Sequence, residues 1–144
     1  MFKKFTVFLL VVFVALSLFI PTVALAESTD KAEAGTQLRW TYIHTVYNWM
    51  GINDSGKATM VSDMDTYSGS VTQVRMTNYL QRYQNGSWTT VNNWSQTTPG
   101  TYAYWSNTYY VYQGYYYRLL TYFYAYNGLT LLESTSLTSG TVYY

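Results

Sequence analysis

From Arg39 to the last residue, aromatic or β-branched residues alternate with polar ones. Gly, Asn, Asp or Ser clusters break the alternation about every ten residues, the signature of short strands joined by turns. Helical spacing is not sustained anywhere in this stretch. The first predicted strand is residues 40–52, closed by Asn53-Asp54-Ser55-Gly56. Residues 57–66 follow, with Ala58, Met60, Ser62 and Met64 on one face and Thr59, Val61, Asp63 and Asp65 on the other. A face carrying two carboxylates has to meet water. After Tyr67-Ser68-Gly69-Ser70, residues 71–83 give Val74, Met76 and Leu80 one parity and Arg75, Thr77 and Gln81 the other.

Asn85-Gly86 is the strongest hairpin signal, because both residues tolerate the positive φ of a tight primed turn. It leads into a strand over residues 88–95. Residues 97–100, containing Pro99, read as a connection, and residues 101–112 as the next strand. Beyond Gln113-Gly114, residues 115–126 place Tyr117, Leu119, Thr121, Phe123 and Ala125 inward and Tyr116, Arg118, Leu120, Tyr122 and Tyr124 outward. Asn127-Gly128 predicts a second hairpin of the same kind, with the last strand between residues 129 and 143. About seven short antiparallel strands predict an all-β domain, a single immunoglobulin/fibronectin-III-like β-sandwich over residues 38–144. Gly114 and the Tyr115-Tyr116-Tyr117 run fall where such sandwiches place a tyrosine corner, and three adjacent tyrosines leave open which one folds back. With no cysteine pair the antibody-type subclass is not supported.

Ahead of the domain the pattern is different. Lys3 and Lys4 precede an apolar run over residues 5–20, broken only by Thr6 and Ser17, and Ala24-Leu25-Ala26 supplies small residues at a cleavage position. This predicts a cleaved signal peptide over residues 1–26 and a secreted, extracellular product. The run is short for a bilayer and is closed by Pro21, which disfavours a retained anchor. Residues 27–37 are polar and aperiodic and read as a flexible lead-in.

Composition narrows the function classes. Residues 27–144 suffice for one domain but not two. Within them six Lys and Arg face seven Asp and Glu, so binding driven by phosphate neutralisation, and hence nucleic acid as a partner, is not expected. No cysteine is available for a disulfide or a lipid anchor, and no integral membrane segment is expected in the mature chain. All 18 Tyr and all 5 Trp lie after the leader, whereas five of the 6 Phe lie within it, so the domain relies on rings with a polar edge.

The stretch Leu80-Gln81-Arg82-Tyr83-Gln84-Asn85-Gly86-Ser87-Trp88, then Val91 and Trp94-Ser95, and later Gly114-Tyr115-Tyr116-Tyr117-Arg118-Leu119 and Tyr126-Asn127-Gly128, resembles an uncharacterised family of small exported β-sandwich proteins of Gram-positive bacteria. The resemblance covers most of the chain from Ile43 onward. It implies secretion and a β-sandwich and brings no catalytic residues. The heavy tyrosine loading over residues 102–126 departs from the pattern, where relatives carry more Lys, Ser and Val.

Catalytic chemistry is thinly supplied. His44 is the one histidine and has no second ligand at metal-binding spacing. Asp63, Asp65 and Asp54 read as a solvated face and turn rather than a Ca²⁺ site. Asp63 and Glu133 would need to meet across a cleft to act as a glycosidase pair. No cofactor or metal is expected. The aromatic residues are the better lead: Trp88, Trp94, Trp105, Tyr110 and Tyr112 are the candidate ligand-binding residues, a platform on which sugar rings of a cell-wall glycan or other polysaccharide would stack. The same rings also serve cross-strand packing, at about 0.2–1 kcal/mol per pair. The expected function is a non-catalytic binding module. Self-association into an extracellular matrix, or a small secreted enzyme or toxin, are the alternatives, and a membrane β-barrel is disfavoured because no strand carries a consistent lipid-facing set.

Overall fold

The computed structural model describes residues 40–144 with the exception of Ser68. The predicted leader and lead-in lie outside the described residues. Residues Leu38–Tyr144 form one unit with its own core. Eight strands run in chain order: β1 Ile43–Ile52, β2 Lys57–Thr66, β3 Gln73–Gln84, β4 Ser87–Pro99, β5 Tyr102–Tyr110, β6 Tyr116–Asn127, β7 Thr130–Thr138 and β8 Val142–Tyr143. They form two antiparallel sheets, a small one ordered β1-β2-β5 and a large one ordered β4-β3-β6-β7, with β8 also paired to β6. The all-β sandwich expected from the period of two is the observed architecture.

The two sheets bury the parities that the alternation marked. Ala58, Met60, Ser62 and Met64 of β2, Val74, Met76 and Leu80 of β3, and Tyr117, Leu119, Thr121, Phe123 and Ala125 of β6 are all buried. The core is therefore built from methionines and single aromatics rather than from a Leu/Ile stack. Flexible thioethers fill the irregular gaps between the two inner faces.

Turn chemistry decides several boundaries. Asn85 and Gly86 have φ of 53° and 79°, and Gln84 pairs with Ser87, so this loop is the two-residue primed turn that was expected. The second hairpin differs. Asn127 pairs with Thr130, the loop is Gly128-Leu129, and only Gly128 has positive φ, at 57°. Glycine alone at the first central position is the requirement of a type II′ turn.

Three further boundaries are corrected. β4 continues through Thr97 and Thr98 to Pro99, because β4 is an edge strand and the missing N–H of Pro99 costs no ladder bond there. The final stretch is two strands, since Ser139 breaks the run: its N–H donates to Leu119 O and its hydroxyl accepts from the Leu119 N–H. β1 begins at Ile43 rather than Trp40, because the N–H groups of Thr41, Tyr42 and Ile43 all donate to the Glu133 carboxylate on β7.

Of the three adjacent tyrosines, Tyr117 makes the corner. Its ring is buried and its hydroxyl donates to Tyr112 O at 2.8 Å. Burial pushes its phenol pKa up, so it stays a neutral donor. Removing the hydroxyl leaves Tyr112 O without this partner while the ring still fills its site. Tyr117→Phe should therefore lower stability by about 1 kcal/mol, read as a lower urea midpoint with an unchanged m-value.

Candidate functional site

The five candidate aromatics do not form one platform. Trp88 and Trp94 have the same parity along β4, yet the pairing shifts between Leu80↔Asn92 and Gln81↔Thr90, leaving Val91 as the extra residue of a β-bulge. Such a residue reverses which face the following side chains take. Trp88 therefore lies on the outer face of the large sheet beside Tyr83, its ring covered by the Arg118 guanidinium at 4.2 Å. Trp94, paired with Asn78, faces inward.

Trp105 faces inward as well, paired with Ser62 on the small sheet, and is 8% exposed. The Trp94 and Trp105 rings meet at 5.6 Å between centroids, with Tyr109 against Trp94 at 6.0 Å. Trp105 is buried and Trp94 is half-buried against it, so the pair packs the edge of the sandwich instead of forming an open platform. They close the side of the sandwich where the edge strands β4 and β5 meet and shelter the row of polar side chains behind them, Asn48, Ser62, Asn78 and Thr121, all buried.

Tyr110 and Tyr112 are the two candidates that reach solvent, at 68% and 78% exposure. They line a cleft of about 280 Å³ at the same edge, nearer the tyrosine corner, together with Arg82, Thr89, Val91 and Tyr109. The cleft owes its shape to the register of two strands from different sheets. Val91 is the bulge residue of β4 and Thr89 lies two residues before it, while Tyr109 and Tyr110 end β5. Its cation is held in place: Arg82 lies over the Tyr115 ring at 4.5 Å and donates through Nη2 to Gln84 Oε1. Arg82 Nε is buried with no hydrogen-bond partner among the described residues. A fixed guanidinium, a threonine hydroxyl and two exposed phenols can donate to and accept from a hydroxylated ligand while the rings take its aliphatic face. The volume is just below the range of about 300–1,000 Å³ usual for ligand sites, with room for a ring-sized group rather than an extended chain.

The carboxylates considered for chemistry are not brought together. Asp63 is on the outer face of the small sheet, between Tyr47 of β1 and Tyr104 of β5 in register. Partial burial raises its pKa. Glu133 belongs to the large sheet and has both oxygens engaged. Burial alone would push that carboxyl up, but the N–H groups of Ile43, Thr41 and Tyr42 outweigh it and hold the pKa below its ordinary value. Asp54 sits in the β1–β2 turn, at the far end of that hairpin from Asp63 and Asp65. Among the described residues no group of three or more His, Asp or Glu could hold a metal ion. His44, unpartnered on sequence grounds, contacts Asp65 at 3.3 Å and packs on Tyr67 at 4.9 Å in an exposed position.

Sequence reasoning placed Tyr116, Tyr122 and Tyr124 outward but did not count them among the candidate binding residues, and both outer faces are dense with rings. The large sheet presents Tyr79, Tyr83, Tyr116, Tyr122, Tyr124 and Tyr126, with Tyr79 edge-on to Tyr122 and Tyr122 stacked on Tyr124. The small sheet presents Tyr47, Trp49, Tyr102 and Tyr104. Here the Trp49 indole folds over Gly51 so closely that a Cβ would meet it at 2.7 Å. The even-numbered tyrosines Tyr116, Tyr122, Tyr124 and Tyr126 of one strand were the available signal.

No family model matches the chain, and no curated protein matches it. Among solved structures, a Bacteroides fragilis protein assigned as a beta-galactosidase is similar over 65% of this chain, at 15% identity and a TM-score of 0.40. The chain spans 15% of that protein's length. A likeness this slight bears on neither activity nor ligand.

Proposed function

We propose that the protein is an exported, non-catalytic binding module that recognises carbohydrate of the cell envelope or its surroundings through the cleft between β4 and β5. The observation that carries this reading is the convergence of exposed Tyr110 and Tyr112 with the fixed Arg82 guanidinium and Thr89 in one concave site. Export is supported by the basic start, apolar run and small-residue cleavage pattern at the beginning of the chain. A role without turnover is supported by the separation of Asp63 from Glu133 and by the engagement of both Glu133 oxygens in backbone hydrogen bonds. Polysaccharide is favoured over nucleic acid because the cleft holds a single cation and several neutral hydroxyl groups.

Retention on insoluble peptidoglycan and on a panel of polysaccharides tests this. Tyr110→Ala combined with Tyr112→Ala, both at exposed positions, should reduce retention about tenfold, since each ring contact contributes about 0.5–1.5 kcal/mol. Trp88→Ala, outside the cleft, should leave retention unchanged. No retention of the parent on any glycan, or equal retention of parent and double variant, removes the reading.

A further inference from the structure

The charges of the sandwich are sorted rather than paired. Four Lys and Arg and four carboxylates lie in the described residues, yet none of these cations pairs with a carboxylate there; the one basic side chain against a carboxylate is His44, 3.3 Å from Asp65. The three arginines of the described residues, Arg75, Arg82 and Arg118, are on the large sheet, and its strands β3, β4 and β6 contain no Asp or Glu; Arg75 and Arg118 are on its outer face, while Arg82 has the inward parity of Leu80 and lines the β4–β5 cleft. Asp63 and Asp65 are on the outer face of the small sheet, with His44 beside Asp65 and Lys57 at the opposite end of β2. One outer face is thus positive and aromatic, and the opposite outer face is negative and aromatic.

The two faces also hold matching unpartnered groups. Arg75 lies flat against the large sheet, its guanidinium 4.6 Å from the Tyr124 ring and 5.4 Å from the Tyr126 ring. It makes no side-chain hydrogen bond or ion pair among the described residues, and its Nε is buried without a partner. On the other side, the Asp63 carboxylate sits between exposed Tyr47 and Tyr104, also with no hydrogen bond or ion pair among the described residues. A planar guanidinium held by stacked rings is pre-organised to donate to a carboxylate. A carboxylate flanked by phenol rings suits the same cation from the other side.

We infer that the binding partner of each face is the opposite face of a second copy of this chain. Arg75 of one copy meets Asp63 of the next, and the rings around each pack across the contact. The contact is heterologous, the large sheet of one copy on the small sheet of another, so it does not close on itself and produces open-ended stacks. Strand spacing and rise give a joint area on the order of 1,000 Å² in total for such a face, which belongs to the weak, concentration-dependent class of interfaces. The inference does not depend on the nature of the ligand in the β4–β5 cleft, which lies at the side of the sandwich and remains open in a stack.

Sedimentation velocity on the sandwich unit, from low micromolar to millimolar concentration and at low salt, tests the inference. The parent should show a weight-average mass that rises with concentration beyond a dimer. Asp63→Arg and Arg75→Asp, each placing like charges face to face, should each weaken association about tenfold or more. The double variant Asp63→Arg with Arg75→Asp restores complementarity in reverse and should associate nearly as well as the parent. So should an equimolar mixture of the two single variants. Circular dichroism on each variant separates lost association from lost folding. A parent that stays monomeric throughout, single reversals that associate normally, or folded double variants no better than the singles would each overturn the inference.

Discussion

Asn78→Ala should destabilise the domain by about 2–4 kcal/mol, more than its lost volume accounts for. Asn78 Oδ1 accepts from Ser62 Oγ and from Thr121 Oγ1, each at 2.8 Å, and the two hydroxyls lie 3.0 Å apart. Asn48 extends the row by donating through Nδ2 to Leu137 O, Leu119 O and Thr121 Oγ1. Every member is buried between the sheets, with Trp94 and Trp105 closing the edge. Truncating Asn78 removes the shared acceptor, so that one hydroxyl can still donate to the other but one proton is left without a partner in a low-dielectric interior, where an unmade hydrogen bond costs about 1–3 kcal/mol. Replacing the whole trio by apolar groups of similar shape, Ser62→Ala with Asn78→Leu and Thr121→Val, removes the unpaired atoms and should recover stability to within about 1 kcal/mol of the parent. Urea unfolding of the single and triple variants measures both. A triple variant that loses the sum of its single effects would show that the row acts as independent contacts and not as a unit.

Glu133→Gln should cost about 1–2 kcal/mol near neutral pH, and the cost should vanish in acid. The carboxylate fixes the entry of β1 through three N–H donors, at 3.0 Å from Thr41 and 2.7 Å from Tyr42 and Ile43. Bonds from N–H to an ionised acceptor are stronger than those to an amide oxygen, and partial exposure keeps the figure toward the low end. The folded-state pKa lies below the unfolded value. The stabilisation is therefore present in full above the unfolded carboxyl pKa and is lost as pH falls through the folded one. Parent and Glu133→Gln stabilities, measured by urea midpoints across this range, should converge on the acid side. A gap that persists in acid would mean that the amide differs in packing rather than in charge.

The parts of the fold readable from residue order are those set within a few residues. β2, β3 and β6 showed their buried side by alternation, because a strand's side chains switch faces at every residue and one face of each is apolar. Asn85-Gly86 was readable because its φ values follow from its own two residues. The candidate site was less readable, for reasons that begin at Val91. One extra residue there separates Trp88 from Trp94, which the alternation had placed together, and turns the second indole inward against the core. Choosing Tyr117 over its neighbours needed the position of Tyr112 O.

By itself the sequence determined a strand-built domain with a known inward set, a nearly even charge balance and an interior obliged to use methionines, rings and a few small polar groups. Only the tertiary structure decided that Arg75 and Arg118 share one outer face and Asp63 and Asp65 the other, that two tryptophans guard a polar row, and that Tyr110 and Tyr112 share a cleft with Arg82. The physical reason is that alternation is a local property of one strand. The faces, edges and clefts that bind other molecules arise from strands far apart in the chain, and their registry is set by bulges and sheet order that no single strand encodes.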